Sequence, residues 1–377
     1  HAAFPSQGRA NPPKLTLNIA ITVMCLANLV FFLPLLRMAI AYYGFSSILE
    51  VFSDLGENYR TKDALMEDVG YAALGPVYTI LNLAAFCQVA PYALVLCFRE
   101  KLHPSARLAI ALSAIMTAFF YFSIGTMSGV FYILVLIAAG WLVRQFLFSM
   151  DSRATILAAP SKRRRILLAM GSMGLLFFAF MVFSLSSRMD RGIVIKLPFL
   201  YKNDSLVYRL LGHRLGDGLG MAISYVSQGW YGLGNSLSID FQWTEFQSFS
   251  RVLTSYFNRF SGDETGSLPL SYPVRQELIT GYPAYSHWHT IFPWFASDFT
   301  FAGTLLITGG FGAVYGWTWI KAIREGCLIS TALFAQLTIG ALFINANSQI
   351  LDNKILSLSF IGFAIMLPFR RKIGNIK

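Results

Sequence analysis

Charge is scarce in this chain. Of 377 residues, 13% are Asp, Glu, Lys or Arg, about half the share carried by soluble domains. With 55% of its residues hydrophobic, the chain has the composition that lipid solvation permits and water does not. Acidic residues are scarcer than basic ones, 19 against 30, giving a formal net charge of +11. A nucleic-acid-binding protein would gather that surplus on one soluble face. Here it sits in short connections between apolar runs, the pattern of cytoplasmic connections in membrane proteins, so nucleic acid is excluded as a partner. Cysteine is sparse too. Cys25, Cys87, Cys97 and Cys327 all lie in apolar runs with no CxxC pair, which argues against both a disulfide framework and a zinc site.

Other absences narrow the chemistry. There is no DxD pair and no His and carboxylate set with metal spacing, so a metal-dependent transferase is disfavoured and arginine would have to replace a cation. No GxxxxGK[ST] loop is present, which removes nucleotide hydrolysis. No charged residue stands in the middle of any apolar run, which argues against an ion-coupled transporter or proton relay. Nor is there an internal repeat of the kind that builds inverted-repeat transporters. Residues 1–13 carry no cleavable signal-peptide pattern and read as a truncated start.

What is present is a series of apolar runs. A spanning helix needs about 20 apolar residues. Runs at 15–36, 70–97, 166–187, 299–320, 327–344 and 355–369 each predict one span, the last of them short. The uncharged run 108–143 is too long for one crossing and predicts two spans reversing at Gly125-Thr126-Met127-Ser128-Gly129. The sequence thus predicts an all-α polytopic membrane protein, a single transmembrane domain over 1–377 with about eight spans. Basic connections alternate: Arg9 and Lys14; Arg99, Lys101 and Arg107; Arg153 with Lys162-Arg163-Arg164-Arg165; Lys321 and Arg324; Arg370-Arg371-Lys372. This predicts both termini in the cytoplasm.

Two extracytoplasmic segments remain, 37–69 and a large loop at 188–298 between spans five and six. Loops this long are usually functional. The second holds nine basic and nine acidic residues, three of the five histidines and four of the seven tryptophans. Its apolar stretches 206–211 and 221–233 predict helices lying on the membrane surface. Nine arginines fall on this side against the positive-inside trend: Arg37, Arg60, Arg188, Arg191, Arg209, Arg214, Arg251, Arg259 and Arg275. Arginine matches phosphate geometry and stays charged when partly desolvated, so a lipid-linked diphosphate at the outer leaflet is one partner. Pairing with the loop acids or with lipid headgroups is the other. Toward the loop's end, Glu277, His287, His289 and Asp298 stand among Tyr285, Trp288 and Trp294. Aromatic faces suit sugar rings, and a carboxylate or His such as Glu277, His289 or Asp298 suits general-base work on an acceptor hydroxyl. An aromatic belt with Asp298 as a helix N-terminal residue is the competing reading.

The stretch Tyr272-Pro273-Val274-Arg275 through His287-Trp288-His289-Thr290-Ile291-Phe292-Pro293-Trp294-Phe295-Ala296-Ser297-Asp298, with Phe301 and Gly303, resembles the bacterial O-antigen polymerases, the Wzy-type oligosaccharide repeat-unit polymerases. So do Gly125-Thr126-Met127-Ser128-Gly129 and Gly229-Trp230-Tyr231-Gly232-Leu233. The resemblance implies a GT-C-like membrane glycosyltransferase of the bacterial inner membrane with a periplasmic active site. It would transfer a glycan from undecaprenyl diphosphate to a lipid-linked repeat unit without metal or other cofactor, beside a chain-length regulator protein. It also implies diphosphate-binding roles for Arg191, Arg214 and Arg275, catalytic ones for Glu277, His289 and Asp298, and sugar-binding ones for Trp230, Tyr285, Trp288 and Trp294. O-antigen ligases, which act on lipid A–core, share this architecture and donor. A non-enzymatic lipid or polysaccharide transporter is the remaining alternative.

Overall fold

The computed structural model describes residues 14–44, 50–51, 55, 57–61, 85–149, 160–190, 206–262, 266–285 and 287–369. Among them every regular element is helical. The helices are α1 (Lys14–Tyr43), α2 (Ala90–Val95), α3 (Pro104–Ser123), α4 (Ser128–Ser149), α5 (Pro160–Asp190) and α6 (Leu206–Ser236). Then come α7 (Arg251–Ser261), α8 (Tyr272–Thr280), α9 (Ile291–Glu325), α10 (Leu328–Leu342), α11 (Gln349–Asp352) and α12 (Lys354–Met366). Among the described residues four helices are long and apolar enough to cross a membrane, α1, α3, α4 and α9, and shorter apolar stretches lie in α5, α10 and α12. The expected span at 70–97 is described only from residue 85, as a 3-10 turn and α2.

The uncharged run 108–143 does fold back. α3 stops at Ser123 and α4 starts at Ser128. Gly125 turns the chain with φ +64°, and a side chain there would strike the Leu55 carbonyl at 2.4 Å, so both conformation and space require glycine. The core lies where α4 and α10 pack together with α1, α2 and α12, through Ile21, Tyr92, Leu136, Val143, Leu333 and Phe363. The outer faces stay apolar: Leu26 and Val30 on α1, Leu108 and Ile115 on α3, Leu305 and Leu306 on α9 are all exposed. In water that surface would be penalised; in lipid it is the solvated face. One buried polar knot crosses the interior. Asn28 Nδ2 lies 2.7 Å from Tyr92 Oη and 2.5 Å from Ser113 Oγ, and Tyr92 Oη also bonds Ser113 at 2.8 Å and Thr117 at 3.2 Å.

The connections gather at two opposite ends. At one, Asn18 Nδ2 donates to Lys101 O (3.0 Å), His103 N–H donates to Asn18 Oδ1 (2.6 Å), and Arg144 pairs with Glu100. At the other, Arg188 donates to Gly125 O (2.7 Å), Arg251 lies 3.5 Å from Asp352, and Ile291 N–H donates to Ile344 O (3.3 Å).

The segment read as the large loop lies at that second end. Its two predicted helices are one element, α6, broken at Gly212 (φ 72°, ψ 171°). α6 packs along α5 so closely that a Cβ at Gly218 would sit 2.4 Å from Val182 O. α7 is capped by Ser250, whose Oγ accepts from Leu253 N–H, and ends at Gly262 in the left-handed region. α9 breaks at Thr300 (φ 63°). Before the break Trp294, Phe295, Ala296, Ser297 and Asp298 are buried; beyond it the helix turns apolar side chains outward.

Candidate functional site

The site begins with a flat face on α6. A methyl at Gly229 would lie 2.1 Å from Asn345 O and 3.0 Å from Thr290 Cγ2; one at Gly232 would lie 2.9 Å from His289 Nδ1. Three residues apart on a helix, the two glycines share one side. The segment leading into α9 therefore lies against bare backbone, and two of the sequence stretches singled out above pack on each other. Thr290 takes φ 59° and caps α9, its Oγ1 accepting from Phe292 N–H at 3.3 Å.

His289 is wholly buried there. Nε2 lies 3.0 Å from Pro283 O, and a carbonyl can only accept, so Nε2 carries the proton. Nδ1 is left as a lone pair with no partner among the described residues. Burial pushes the imidazole down to about 4, with the Pro283 bond opposing it, so the ring is neutral at ordinary pH. His287 is lowered as well, first by burial, with Glu277 opposing. Tyr282 organises the group. Its ring centre is 5.0 Å from His287 and 4.9 Å from His289, and its hydroxyl donates to Gln228 O (3.0 Å) or Trp288 O (3.2 Å).

α8 carries Arg275 and Glu277. It is held against α6 by Ser236 Oγ donating to the buried Gln276 Oε1 at 2.9 Å. Glu277 does not pair with Arg275. It accepts from Ala284 N–H at 3.1 Å and so fixes the turn before the histidines. Arg275 donates from Nη1 to Asp240 O at 2.7 Å and lies 6.0 Å from the Tyr272 ring centre, without a carboxylate partner among the described residues. Asp298 is saturated: it accepts from Ser248 N–H (3.0 Å), Phe249 N–H (2.7 Å) and the Thr244 hydroxyl, and thereby folds the 244–249 segment.

The expected sugar-binding aromatics divide. Tyr285, exposed, lies 6.0 Å from the buried Trp294, which is 6.3 Å from His289. Trp288 turns the other way, 4.8 Å from Tyr225 and 6.2 Å from Phe343. Trp230 is exposed on another face of α6 and joins none of these stacks among the described residues. Arg191 lies outside the described residues, and Arg214 is on α6 with its side chain outside them. The structure adds Arg251, not singled out from the other loop arginines by sequence. Its backbone N–H and guanidinium both meet Asp352, and its Cζ lies 5.9 Å from the Trp294 ring centre. The one available signal was Asp352 itself, an acid interrupting the apolar end of the chain. Arg251, Tyr285, Trp294 and His289 thus form one cluster with α8 beside it. No three His, Cys, Asp or Glu side chains converge among the described residues. No protein-family model, curated protein or solved structure matches this chain.

Proposed function

We propose that this chain is an O-antigen-type repeat-unit polymerase: an eight-span, GT-C-like glycosyltransferase of the bacterial inner membrane that works at the periplasmic face. The acceptor sugar's hydroxyl oxygen attacks the anomeric carbon of a glycan on undecaprenyl diphosphate. The bond from that carbon to the phosphate oxygen breaks, its electron pair leaves with the diphosphate, and the hydroxyl proton passes to a base. The observation that carries this reading is the guanidinium of Arg275. It lies 6.0 Å from the Tyr272 ring centre, with one N–H bonded to the Asp240 carbonyl and no carboxylate against it among the described residues. Such a cation is available to a developing diphosphate charge. Exposed Tyr285, its ring centre 6.0 Å from that of Trp294, offers a face to a sugar ring. Of the candidate bases, Glu277 and Asp298 are engaged by backbone N–H groups, and His289 keeps an unprotonated Nδ1 but is wholly buried against Gly232. Arginines in place of a cation imply that elongation persists in excess EDTA; a strict need for added magnesium or manganese would remove that part of the reading.

Arg275 also supplies the test. A bidentate phosphate contact depends on the planar fork, so Arg275→Lys should lose much of the chain elongation although charge is kept. A hydrogen bond to a charged group contributes about 1.5–3 kcal/mol, so Arg275→Ala should lose roughly 10- to 150-fold in rate. Both are measured on purified protein fed lipid-linked repeat units alone. Near-normal polymer from Arg275→Ala would place the diphosphate elsewhere. Glycan transfer only when lipid A–core is added would make the chain a ligase instead.

A further inference from the structure

Between α6 and α7 the chain is inside out. Thr244, Gln247, Ser248 and Ser250 are buried. Thr244 is fully bonded: its N–H donates to Ser297 O at 3.1 Å, its hydroxyl donates to Asp298, and its carbonyl accepts from the Ser267 hydroxyl at 2.6 Å. Gln247 Oε1 accepts from Ser267 N–H at 2.9 Å, and its carbonyl accepts from the Thr254 hydroxyl at 2.6 Å. The large aromatic side chains face the other way. Phe241 is 45% exposed, Trp243 50% and Phe246 53%. A loop bathed in water would bury Phe and Trp and expose Thr and Gln.

The turn that carries the outward set is held under strain. Glu245 and Phe246 both take positive φ, 52° and 62°, a conformation that residues with a side chain rarely adopt and that is costly for a bulky one. Asp298 maintains it by accepting from Ser248 and Phe249 N–H just past the turn. The aromatic ridge also continues the apolar outer surface of α9. The Trp243 ring centre lies 5.5 Å from that of Phe246, which lies 5.4 Å from that of Phe299. Phe299 directly precedes the break at Thr300, and beyond the break Leu305 and Leu306 are exposed on a helix long and apolar enough to cross a membrane. The ridge therefore abuts one end of that helix's apolar stretch. Trp and Phe are residues that settle at the boundary of headgroups and acyl chains, and the lipid that covers the helix extends over a patch continuous with it.

We propose that Phe241, Trp243 and Phe246 form a ridge that inserts into the interfacial layer of the bilayer and fastens the segment between α6 and α7 to the lipid surface. Asp240, beside the ridge, accepts from Arg275 through its carbonyl at 2.7 Å, so the anchor also fixes the height of that part of α8 above the membrane. The partner is the bilayer itself, and the inference does not rest on the polymerase reading.

The test uses the full chain reconstituted into phosphatidylcholine vesicles, either plain or brominated near the headgroup end of the acyl chains. Emission is compared between the wild type and Trp243→Phe, and the difference isolates Trp243 from the other tryptophans. Most of that difference emission should be lost in the brominated vesicles, and iodide in the aqueous phase should quench it less than it quenches free tryptophan. No loss in the brominated vesicles overturns the proposal; strong quenching by iodide would then put the ridge in water, as a surface for a glycan or another protein. If Trp243→Phe does not fold, a nitroxide on Phe246→Cys in the Cys327→Ala background decides alone. It should collide with oxygen more often than with a water-soluble nickel chelate, as a label on Leu305→Cys should. The opposite order, shared with a label on exposed Arg99→Cys, overturns the anchor.

Discussion

At the scale of single residues, His289 has a measurable signature in stability. Burial holds it at about 4, below the 6.5 of a solvated imidazole in the unfolded chain. Between those pH values the unfolded state binds more protons, so stability rises with pH across that window. It is fully present above about 6.5 and lost as pH falls toward 4. The full span corresponds to about 3 kcal/mol, to which His287 adds in the same direction. The thermal midpoint in detergent should therefore fall between pH 6.5 and 4, and His289→Gln, which keeps a donor for Pro283, should flatten that slope. An unchanged slope in the variant would mean that His289 is not the buried neutral imidazole described here. Residue types at this site were legible in the sequence because carboxylates, imidazoles and aromatics crowd into 277–298. Their partners were not. That Glu277 and Asp298 bond backbone amides, rather than Arg275 or solvent, depends on where 244–249 and 284 come to lie.

At the scale of elements, glycines decide how closely helices meet. Gly232 and Gly234 sit in the same turn of α6, yet a methyl at 232 would collide with His289 while one at 234 meets nothing within 4 Å. Gly232→Ala should thus cost about 1–3 kcal/mol through overpacking, whereas Gly234→Ala should stabilise by about 0.5–1 kcal/mol through helix propensity. Chemical unfolding of the two variants side by side checks both signs; destabilisation by both would remove the special role of the face toward His289. A different constraint acts where α1, α2 and α3 meet. Tyr92 Oη is shared by Asn28, Ser113 and Thr117. Tyr92→Phe should therefore cost about 1–3 kcal/mol, and Ser113→Ala less, because its neighbours keep bonding one another. The stretch 229–233 was visible as a motif, and the α3–α4 reversal as a place. The reason for either glycine was not, since it resides in the element packed opposite.

At the scale of the whole molecule, lipid makes the architecture readable. It demands a set length of apolar chain and satisfied backbone groups, and both leave a mark in every run from 15 to 369. Which helices pair is much less legible. Lipid is as apolar as leucine, so contact surfaces are chosen by small residues and buried polar groups rather than by hydrophobic stripes. The grouping of connections supplies a test of orientation. Arg99, beside Lys101 and Glu100, lies at the end where α1 begins; Ser238, after α6, lies at the end that holds the site. Both are exposed, whereas Cys25, Cys87 and Cys97 are buried and Cys327 is half-buried. After Cys327→Ala, a cysteine introduced by Ser238→Cys should react with an impermeant maleimide added outside intact spheroplasts. One introduced by Arg99→Cys should react only after permeabilisation. Basic connections are retained on the cytoplasmic side because translocating them is costly, and the three between 99 and 107 are among the densest in the described chain. Labelling of Arg99→Cys from outside would invert the protein. It would set the His289 and Trp294 group on the cytoplasmic side, against the function proposed above.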